Sequence, residues 1–379
     1  MDPVRLPAGR VVLRVHRDED IDGVLDQSSD PVSQTFTTVP VPYHRAHAAQ
    51  FVREIIPDGW RHGTYLALAI ADAQTDEYYG TVDLTPDGSR GAEVGFGLRA
   101  AARGRGVMTA ALHAAVDWAF ATDGLALDVL QWRAHVGNWP SRRVAWRCGF
   151  RVEGTVRGLC AARGRRYDGW IGSLRSGDPR RPNTRWYDAP TLRGRRCVLR
   201  GFRESDTAAV VAACSDPVTQ HWLGGLPRPY THSAGLGYIQ SREEEHAGGR
   251  GVYWAAADPV TDECIGSFGL MDIDVMTGTA EIGYWTHPAV RGRGVAGEAT
   301  RLVARHAMIA TDDGGLGLRH LTLRAAAGNV ASQRVAERAG FRRVGVWRSA
   351  ERLCDDTYDD LVGFDLLADD LTTSGPDQR

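Results

Sequence analysis

Lysine is absent from this sequence, since arginine supplies all 45 basic residues among its 379. A Walker A phosphate loop requires a lysine and is therefore excluded. Long apolar runs are also missing. None approaches the roughly 18 residues of a membrane-spanning helix, and Met1–Arg5 opens no signal-peptide-like segment. The net charge of −2 provides no overall field for nucleic acid or for an anionic membrane. We expect neither as a partner.

Cysteine is scarce, and its placement excludes two kinds of site. The six cysteines form no Cys-x-x-Cys pair, and the histidines form no ligand-spaced pair, so we expect no metal and no disulfide framework. A reducing, cytoplasmic location is the natural expectation for such a chain. What remains, 43% hydrophobic and 24% charged residues, is typical of a globular protein.

A short string, Arg-Gly-Arg-Gly-Val, occurs at Arg103–Val107 and again at Arg291–Val295. Each copy follows a strand-like run and opens a helix-like run. Other segments recur in the same order at a spacing of about 190 residues, far beyond the 20–50 residues of solenoid repeats. They include Ser29–Val32 with Ser215–Val218, and Gly137–Phe150 with Gly328–Phe341. The sequence therefore predicts two domains of one fold.

Alternation of strand-like and helix-like segments predicts that each domain is α/β (α+β), built on one mixed sheet. We place the first domain at 1–175, a linker rich in Pro and Gly at 176–192, the second domain at 193–369 and a polar tail at 370–379. In the first half the patterns predict strands at 10–16, 64–72, 79–84, 92–98, 129–135 and 151–174. They predict helices at 18–28, 44–56, 107–121 and 140–148, and a Pro- and Thr-rich loop at 31–42.

The glycine strings suit an anion site. Glycine allows the backbone to wrap closely around a phosphate, and the helix that follows adds its positive end. The candidate phosphate-binding residues are Arg103, Gly104, Arg105, Gly106, Val107 and Met108, then Arg291, Gly292, Arg293, Gly294, Val295 and Ala296. A surface loop that merely carries arginine is the alternative. A Rossmann site is rejected, because Thr109 replaces the third glycine in the first copy and no ribose-binding acid ends the strand at Leu321–Arg324.

These motifs resemble the GCN5-related N-acetyltransferases (GNAT), in which Arg-Gly-x-Gly-Val heads a helix that binds acetyl-CoA. The segment from Asn138 and Ser141 to Phe150 resembles the family's second coenzyme-contacting segment, and the segment from Asn329 to Phe341 repeats it. The arrangement is most similar to the RimJ/RimL type, which acetylates protein N-termini. The resemblance covers nearly the whole chain, so it implies two tandem GNAT domains, each with a splayed parallel strand pair within a mostly antiparallel sheet.

The resemblance implies acetyl-CoA as cofactor and direct transfer of the acetyl group to a primary amine, with no covalent enzyme intermediate. A base must remove a proton from the amine, and we predict Glu93 and Glu281 in this role because each lies in an apolar strand before the glycine string. The alternative is a carboxylate that holds a loop or an arginine.

The family's usual tyrosine acid is replaced here by Ala145 and Ala336. The resemblance places Ser141 and Ser332 near the coenzyme sulfur; the alternative is that each caps its helix or bonds the backbone. It places Asn138 and Asn329 against the pantetheine arm, with a plain turn residue as the alternative.

Several questions stay open at the level of sequence. Both domains carry intact motifs, so both are expected to be active; the alternative is one catalytic domain and one structural or CoA-sensing domain. The acceptor is a peptide or small-molecule amine, chosen by the loops at 32–58 and 218–250. Trp60, Trp222 and Trp254 are candidates to line its pocket. The chain is expected to be a monomer, with the repeat acting as a pseudo-dimer, or a homodimer.

Overall fold

The computed structural model describes residues 4–373 and divides the chain into two compact units, Met1–Asn183 and Thr184–Arg379. Each unit contains one mixed sheet of eight strands flanked by helices. The predicted fold class, two domains on mixed and mostly antiparallel sheets, is confirmed. Among the described residues, no helix is both long and apolar enough to cross a membrane.

The sheet of the N-terminal unit has the strand order β1-β2-β3-β4-β5-β6-β8-β7. All neighbouring strands are antiparallel except β5 and β6, which are parallel. The strands are β1 Arg5–Ala8, β2 Val11–Arg14, β3 Leu66–Asp72, β4 Tyr78–Pro86, β5 Gly91–Leu98, β6 Val129–His135, β7 Arg151–Ala162 and β8 Arg165–Arg175. The helices are α1 Ile21–Ser29, α2 Pro31–Phe36, α3 Arg45–Gln50, α4 Ile56–His62, α5 Val107–Phe120 and α6 Trp139–Arg147.

Two local predictions in the N-terminal unit are corrected. The predicted loop at 31–42 begins with helix α2, because Asp30 caps it by accepting from the Ser33 amide and a proline occupies its first turn. The helix predicted at 44–56 continues through a π-helical turn and α4 as far as His62. It ends at Gly63, whose φ of 66° is a left-handed helix terminus.

The C-terminal unit repeats this topology, with the order β15-β16-β14-β13-β12-β11-β10-β9 and a parallel β13–β14 pair. Its strands are β9 Leu192–Arg193, β10 Val198–Arg200, β11 Val252–Ala257, β12 Cys264–Asp274, β13 Thr279–Thr286, β14 His320–Ala326, β15 Arg342–Arg352 and β16 Tyr358–Leu367. Its helices are α7 Thr207–Ser215, α8 Pro217–Trp222, α9 His232–Ala247, α10 Val295–Met308, α11 Val330–Arg338 and α12 Ala368–Thr373. Helix α12 includes residues 370–373 of the predicted tail, and the rest of that tail lies outside the described residues.

The parallel strand pair in each unit separates partway along its length. Strands β5 and β6 are paired with each other only from Gly91 opposite Val129 to Val94 opposite Trp132. Beyond that point each strand continues, but β5 pairs only with β4 and β6 only with β8. Strands β13 and β14 are paired only as far as Glu281 opposite Thr322. The expected splay is therefore present in both sheets, and it leaves backbone groups of β5 and β13 without a ladder partner from the neighbouring parallel strand.

The helix after each glycine string packs its apolar stripe against the sheet. In α5, which matches the helix predicted at 107–121, the buried residues include the apolar positions that recur at helical spacing: Val107, Ala111, Leu112, Ala115, Val116 and Ala119. Helix α10 buries the matching stripe of its own unit. This packing fixes the start of each helix relative to the splayed strand beside it.

Buried ion pairs account for another repeat, in which Arg14 and Asp20 return as Arg200 and Asp206. Arg14 at the end of β2 lies 2.7 Å from Asp20, and both side chains are nearly inaccessible, at 5% and 3% exposure. Arg200 and Asp206 form the same pair in the C-terminal unit at 2.8 Å. In each unit the pair ties the second strand to the first helical segment.

Candidate active site

Each glycine string forms an open turn at the start of a helix. Gly104 and Gly106 have φ of 72° and 74°, and Gly292 and Gly294 have φ of 75° and 81°. Gly106 and Gly294 occupy the N-cap positions of α5 and α10, so no side chain caps either helix. A Cβ on Gly104, Gly106 or Gly292 would meet nothing within 4 Å. Glycine is therefore required by the backbone conformation, and the front of the turn stays open.

The amides at these turns are suited to bind an anion. The amide of Ala110 is the one that donates to the Gly106 carbonyl, at 3.1 Å, and Glu298 donates to Gly294 at 3.2 Å. The preceding amides, at 107–109 and 295–297, have no acceptor within their own helix. Several unsatisfied donors at the positive end of a helix make an anion site of the kind that binds phosphate.

The guanidinium groups of Arg103 and Arg291 bind the aspartates that cap α2 and α8, and so hold these helices against the glycine turns. Arg103 donates to Asp30 at 2.7 Å and to the Leu98 carbonyl at 3.0 Å. Arg291 makes the equivalent bond to Asp216 at 2.6 Å. Burial acts to raise the pKa of Asp30, but hydrogen bonds from Arg103 and the Ser33 amide lower it below its usual value.

The pairing of Arg103 with Asp30 and of Arg291 with Asp216 was not predicted from the sequence. The repeated Ser-Asp-Pro-Val segment could have indicated it. In both copies the aspartate caps a helix and the proline occupies the first turn. The same carboxylate then receives the arginine of the glycine string. Here the repeat marks a contact rather than a catalytic group.

Two further arginines approach the turns and were not singled out in the sequence. Arg10 donates to the Arg105 carbonyl at 2.9 Å. Arg196 occupies the equivalent position, and its Nε lies 3.3 Å from where a Cβ of Gly294 would be. Their recurrence at the same place in both halves was the available signal. Arg10, Arg105, Arg196 and Arg293 therefore add positive charge at the turns, whereas Arg103 and Arg291 are paired with Asp30 and Asp216, and Glu298 lies in the first turn of α10.

The C-terminal unit has a cavity of about 580 Å³ in front of its glycine turn. That volume lies within the range of small-molecule and cofactor sites. Arginines form much of its wall, at positions 196, 291, 301, 334 and 338. The remaining lining includes Trp222, Tyr284, Gly292, Gly294, Ala296, Asn329 and Ser332. The structure thus brings the predicted glycine, asparagine and serine residues of this unit to one cavity.

Asn138 and Asn329 cap the helices that carry the predicted serines. Asn138 accepts from the Ser141 amide at 3.3 Å, and Asn329 accepts from the Ser332 amide at 3.2 Å. The side-chain oxygens are therefore engaged in capping α6 and α11. This contact fixes where each serine hydroxyl lies.

The two serine hydroxyls have different partners. The Trp132 indole donates to the Ser141 oxygen at 3.1 Å, whereas the Tyr284 hydroxyl lies 2.8 Å from the Ser332 oxygen. Burial raises the pKa of Tyr284 to about 12, although the hydrogen bond to Ser332 opposes the shift. The residue that matches Tyr284 in the N-terminal unit is Phe96, which has no hydroxyl. The C-terminal unit alone therefore has this hydroxyl pair.

Glu93 and Glu281 lie on the strands that border the splay, and each is paired with an arginine from the neighbouring parallel strand. Glu93 is bound by Arg133, and Glu281 lies 2.6 Å from Arg324. The exposed fractions of the two carboxylates are 35% and 16%. The apolar flanks expected from the sequence are present along each strand. Each glutamate also holds an arginine, which is the alternative role considered from the sequence, although the sequence did not identify the arginine.

The three tryptophans proposed for an acceptor pocket have different environments. Trp254 is fully buried and donates to the Pro190 carbonyl at 2.9 Å, so the hypothesis that it lines a pocket is wrong. Trp60 stacks on Trp118 with a centroid separation of 6.0 Å. Trp222 lines the cavity of the C-terminal unit.

Comparison with known proteins agrees with this geometry. The family model described as "Acetyltransferase (GNAT) domain" matches the chain twice, over residues 10–151 and 196–342. The uncharacterized N-acetyltransferase YoaA of Bacillus subtilis (strain 168) is 29% identical over 160 residues, which is 42% of this chain and 86% of that protein. The ribosomal-protein-serine acetyltransferase of Escherichia coli (strain K12) is 33% identical over 108 residues, 28% of this chain and 57% of that protein.

Among solved structures, one similar chain is RimL, a ribosomal-protein alpha-N-acetyltransferase in complex with coenzyme A, with a TM-score of 0.41 and 20% identity. The match covers 47% of this chain and 98% of that one. The two family matches together span most of the sequence and include both glycine turns. The chain therefore belongs to the GNAT acetyltransferases and carries two copies of their domain.

Proposed function

We propose that each unit binds acetyl-CoA and transfers its acetyl group directly to a primary amine, on a peptide N-terminus or on a small molecule. The observation that carries this proposal is the open glycine turn in front of an uncapped helix, found in both units. The name of the ribosomal-protein-serine acetyltransferase supports a protein amine as one class of acceptor.

The residues present fit the coenzyme. We assign its diphosphate to the glycine turns at residues 103–108 and 291–296, where the amides that open α5 and α10 have no acceptor within their own helix. The amides of Arg103, Arg291 and Arg293 donate instead to the residues just before each turn. Arg105, Arg293 and the flanking Arg10 and Arg196 supply positive charge around it. We assign the pantetheine arm to the wall that carries Asn138 or Asn329. When bound, the coenzyme supplies the acetyl thioester.

The chain's own residues must manage two protons. The acceptor ammonium must lose one before its nitrogen becomes nucleophilic, and we assign this step to Glu93 and Glu281 at the edge of the splay. Their pairing with Arg133 and Arg324 supports the rival role, in which each glutamate positions an arginine. The second proton leaves the nitrogen as the amide forms and would be needed by the coenzyme thiolate. We propose that the hydroxyls of Ser141 and Ser332 would relay it, each giving up its proton and taking that of the nitrogen.

A second arrangement keeps the fold but makes only one unit catalytic, with the other structural or CoA-sensing. The hydroxyl pair of Tyr284 and Ser332 favours the C-terminal unit as the active one in that case, because it offers a continuous path for a proton. In the N-terminal unit the serine accepts from an indole, which does not exchange its proton readily.

Release of free thiol from acetyl-CoA, followed over a panel of primary amines and N-terminal peptides, tests the proposal. Glu93→Gln, Glu281→Gln and the double variant are compared with the matched control Glu19→Gln, whose carboxylate is exposed and lies outside the acceptor-selecting segment 32–58. We expect the double variant to lose about a hundredfold or more in turnover, the lower end for a lost general base. Unchanged turnover in all three would remove the assignment of the base, and absence of thiol release from the native chain would remove the activity.

A further inference from the structure

The carboxylate of Asp83 lies over the point where the parallel strands of the N-terminal unit separate. Asp83 on β4 is directly opposite Gly95 on β5. Gly95 is the first residue of β5 beyond the parallel ladder, which ends at Val94. A Cβ on Gly95 would lie 2.7 Å from one carboxylate oxygen and 2.9 Å from the other. The absence of a side chain at Gly95 therefore gives the carboxylate its position at the splay.

Small and aromatic residues surround this carboxylate. Across β3, Asp83 is opposite Ala67. Its two cross-strand neighbours, Ala67 and Gly95, are therefore both small and leave space around the carboxylate. The Tyr65 hydroxyl donates to the carboxylate, and the Phe51 ring lies 6.3 Å from the Tyr65 ring. Burial raises the pKa of Asp83 to about 6, and the Tyr65 hydrogen bond partly opposes that shift.

No cation of the protein neutralises Asp83 among its described contacts. The ionisable groups nearest along the same face of β5 and β6 are Glu93 and Arg133, which are bound to each other. Among the described residues, the Tyr65 hydroxyl donates to the carboxylate. A half-buried carboxylate that the fold leaves without a positive partner, at a cost to its ionised form, is suited to receive one from a ligand.

The C-terminal unit lacks this feature. Gly269 takes the place of Asp83, opposite Gly283, and Gly251 takes the place of Tyr65. The vacated space is filled by the Tyr253 ring, whose Cδ1 is 2.4 Å from where a Cβ of Gly269 would be. The Arg242 guanidinium lies 4.1 Å from the centroid of that ring. This place in the C-terminal unit thus holds an aromatic ring with an arginine over it instead of a carboxylate.

We propose that Asp83 and Tyr65 form a binding site for the protonated primary amine of the acceptor, present in the N-terminal unit alone. This inference rests on the proposed acetyl transfer and specifies its substrate. Ionised Asp83 accepts charge-assisted hydrogen bonds from the ammonium, and Tyr65 and Phe51 pack against the carbon atoms beside it. The ammonium can belong to a peptide N-terminus or to a small amine, because the two share this chemistry. The C-terminal unit, with Arg242 in that place, selects a different acceptor.

Hydrogen exchange followed by mass spectrometry on the full chain tests this site without relying on turnover. The probes are 2-phenylethylamine and a short peptide with a free N-terminus, with the N-acetylated form of that peptide as control. Each is added with and without CoA at pH 7.5. We expect slower exchange in segment 78–98 with either or both amine probes, and no change with the acetylated peptide. Segment 264–286 of the other unit serves as the internal reference.

Variants separate the site from its surroundings. Asp83→Asn is expected to weaken amine binding about ten- to hundredfold, the range for a lost hydrogen bond to a charged group. Tyr65→Phe weakens it less and keeps the charge, and Asp123→Asn, at an exposed position outside the segment 32–58, leaves it unchanged. Unaltered protection in Asp83→Asn, or none in the native chain under any condition, overturns the site. Thiol release and CoA binding are measured separately, so failure of the proposed function is recognised on its own.

Discussion

Replacing Asp83 by asparagine is predicted to make the N-terminal unit more stable at neutral pH. Burial raises the pKa of this carboxyl from 3.8 to about 6. The ionised form is therefore disfavoured in the folded unit relative to the unfolded chain. Asparagine has nearly the same shape and carries no charge, so it avoids this cost. A residue kept for binding rather than for folding should show this behaviour.

The magnitude follows from the shift. Two pKa units correspond to about 3 kcal/mol at 1.36 kcal/mol per unit, which is an upper limit for a carboxyl that retains some solvent contact. We expect a gain of about 1–3 kcal/mol for Asp83→Asn at pH 8. The sign of the pH dependence follows as well. A carboxyl whose folded pKa is raised binds its proton more tightly when folded, so the native chain loses stability as the pH rises from about 4 to about 6.

Hydrogen exchange of the central strands β3–β5 reports the unfolding free energy of this unit separately from the other. The comparison is made at pH 8 and, by urea unfolding, at pH 3.5. At the lower pH the advantage of Asp83→Asn is expected to nearly vanish, because Asp83 is protonated in the folded unit and mostly protonated in the unfolded chain. A variant that is less stable than the native chain at pH 8, or equally altered at both pH values, would refute this reasoning.

Three further predictions concern the buried pairs, the glycine turns and the hydroxyl pair. Asp20→Ala leaves a buried arginine unpaired and is expected to cost about 3–5 kcal/mol in urea unfolding, whereas the exposed Asp58→Ala costs about 1 kcal/mol or less; equal effects would contradict the burial argument. Gly106→Ala is expected to weaken CoA binding about tenfold or more through a backbone penalty of about 1–2 kcal/mol; Gly88→Ala, at a φ of 78° far from the turn's amides, carries the same penalty and should leave CoA affinity unchanged. Tyr284→Phe is expected to lower kcat of the C-terminal site about tenfold or more with KM for acetyl-CoA unchanged; a change in KM alone would indicate a binding role.

The sequence predicted elements best where the spacing of apolar residues and the positions of glycine and proline indicate the same structure. The stripe of α5, the strand at 129–135 and the glycine turns were all predicted, because helical spacing and positive-φ glycines are local signals. The error at 31–42 came from weighting the composition of Pro and Thr over a capping signal. Asp30 followed by a proline was sufficient to begin a helix there.

Contacts between distant strands could not be predicted in the same way. Arg133 and Arg324 become partners of the glutamates only through the parallel register, which a single sequence does not define. Asp83 has an unremarkable position in the sequence, and its role depends on Gly95 being opposite it across β4 and β5. The repeat showed which positions the two halves share. The structure showed that differing positions, such as Asp83 and Gly269, lie beside the splay.

Calorimetric titration of the full chain with CoA asks whether main-chain amides at both glycine turns hold the diphosphate. Two sites per chain are expected. In Gly106→Ala, only one site should fill at a CoA concentration that saturates the turn at Gly294. Absence of saturable binding, or a single site that persists unchanged in both Gly106→Ala and Gly294→Ala, would contradict this expectation.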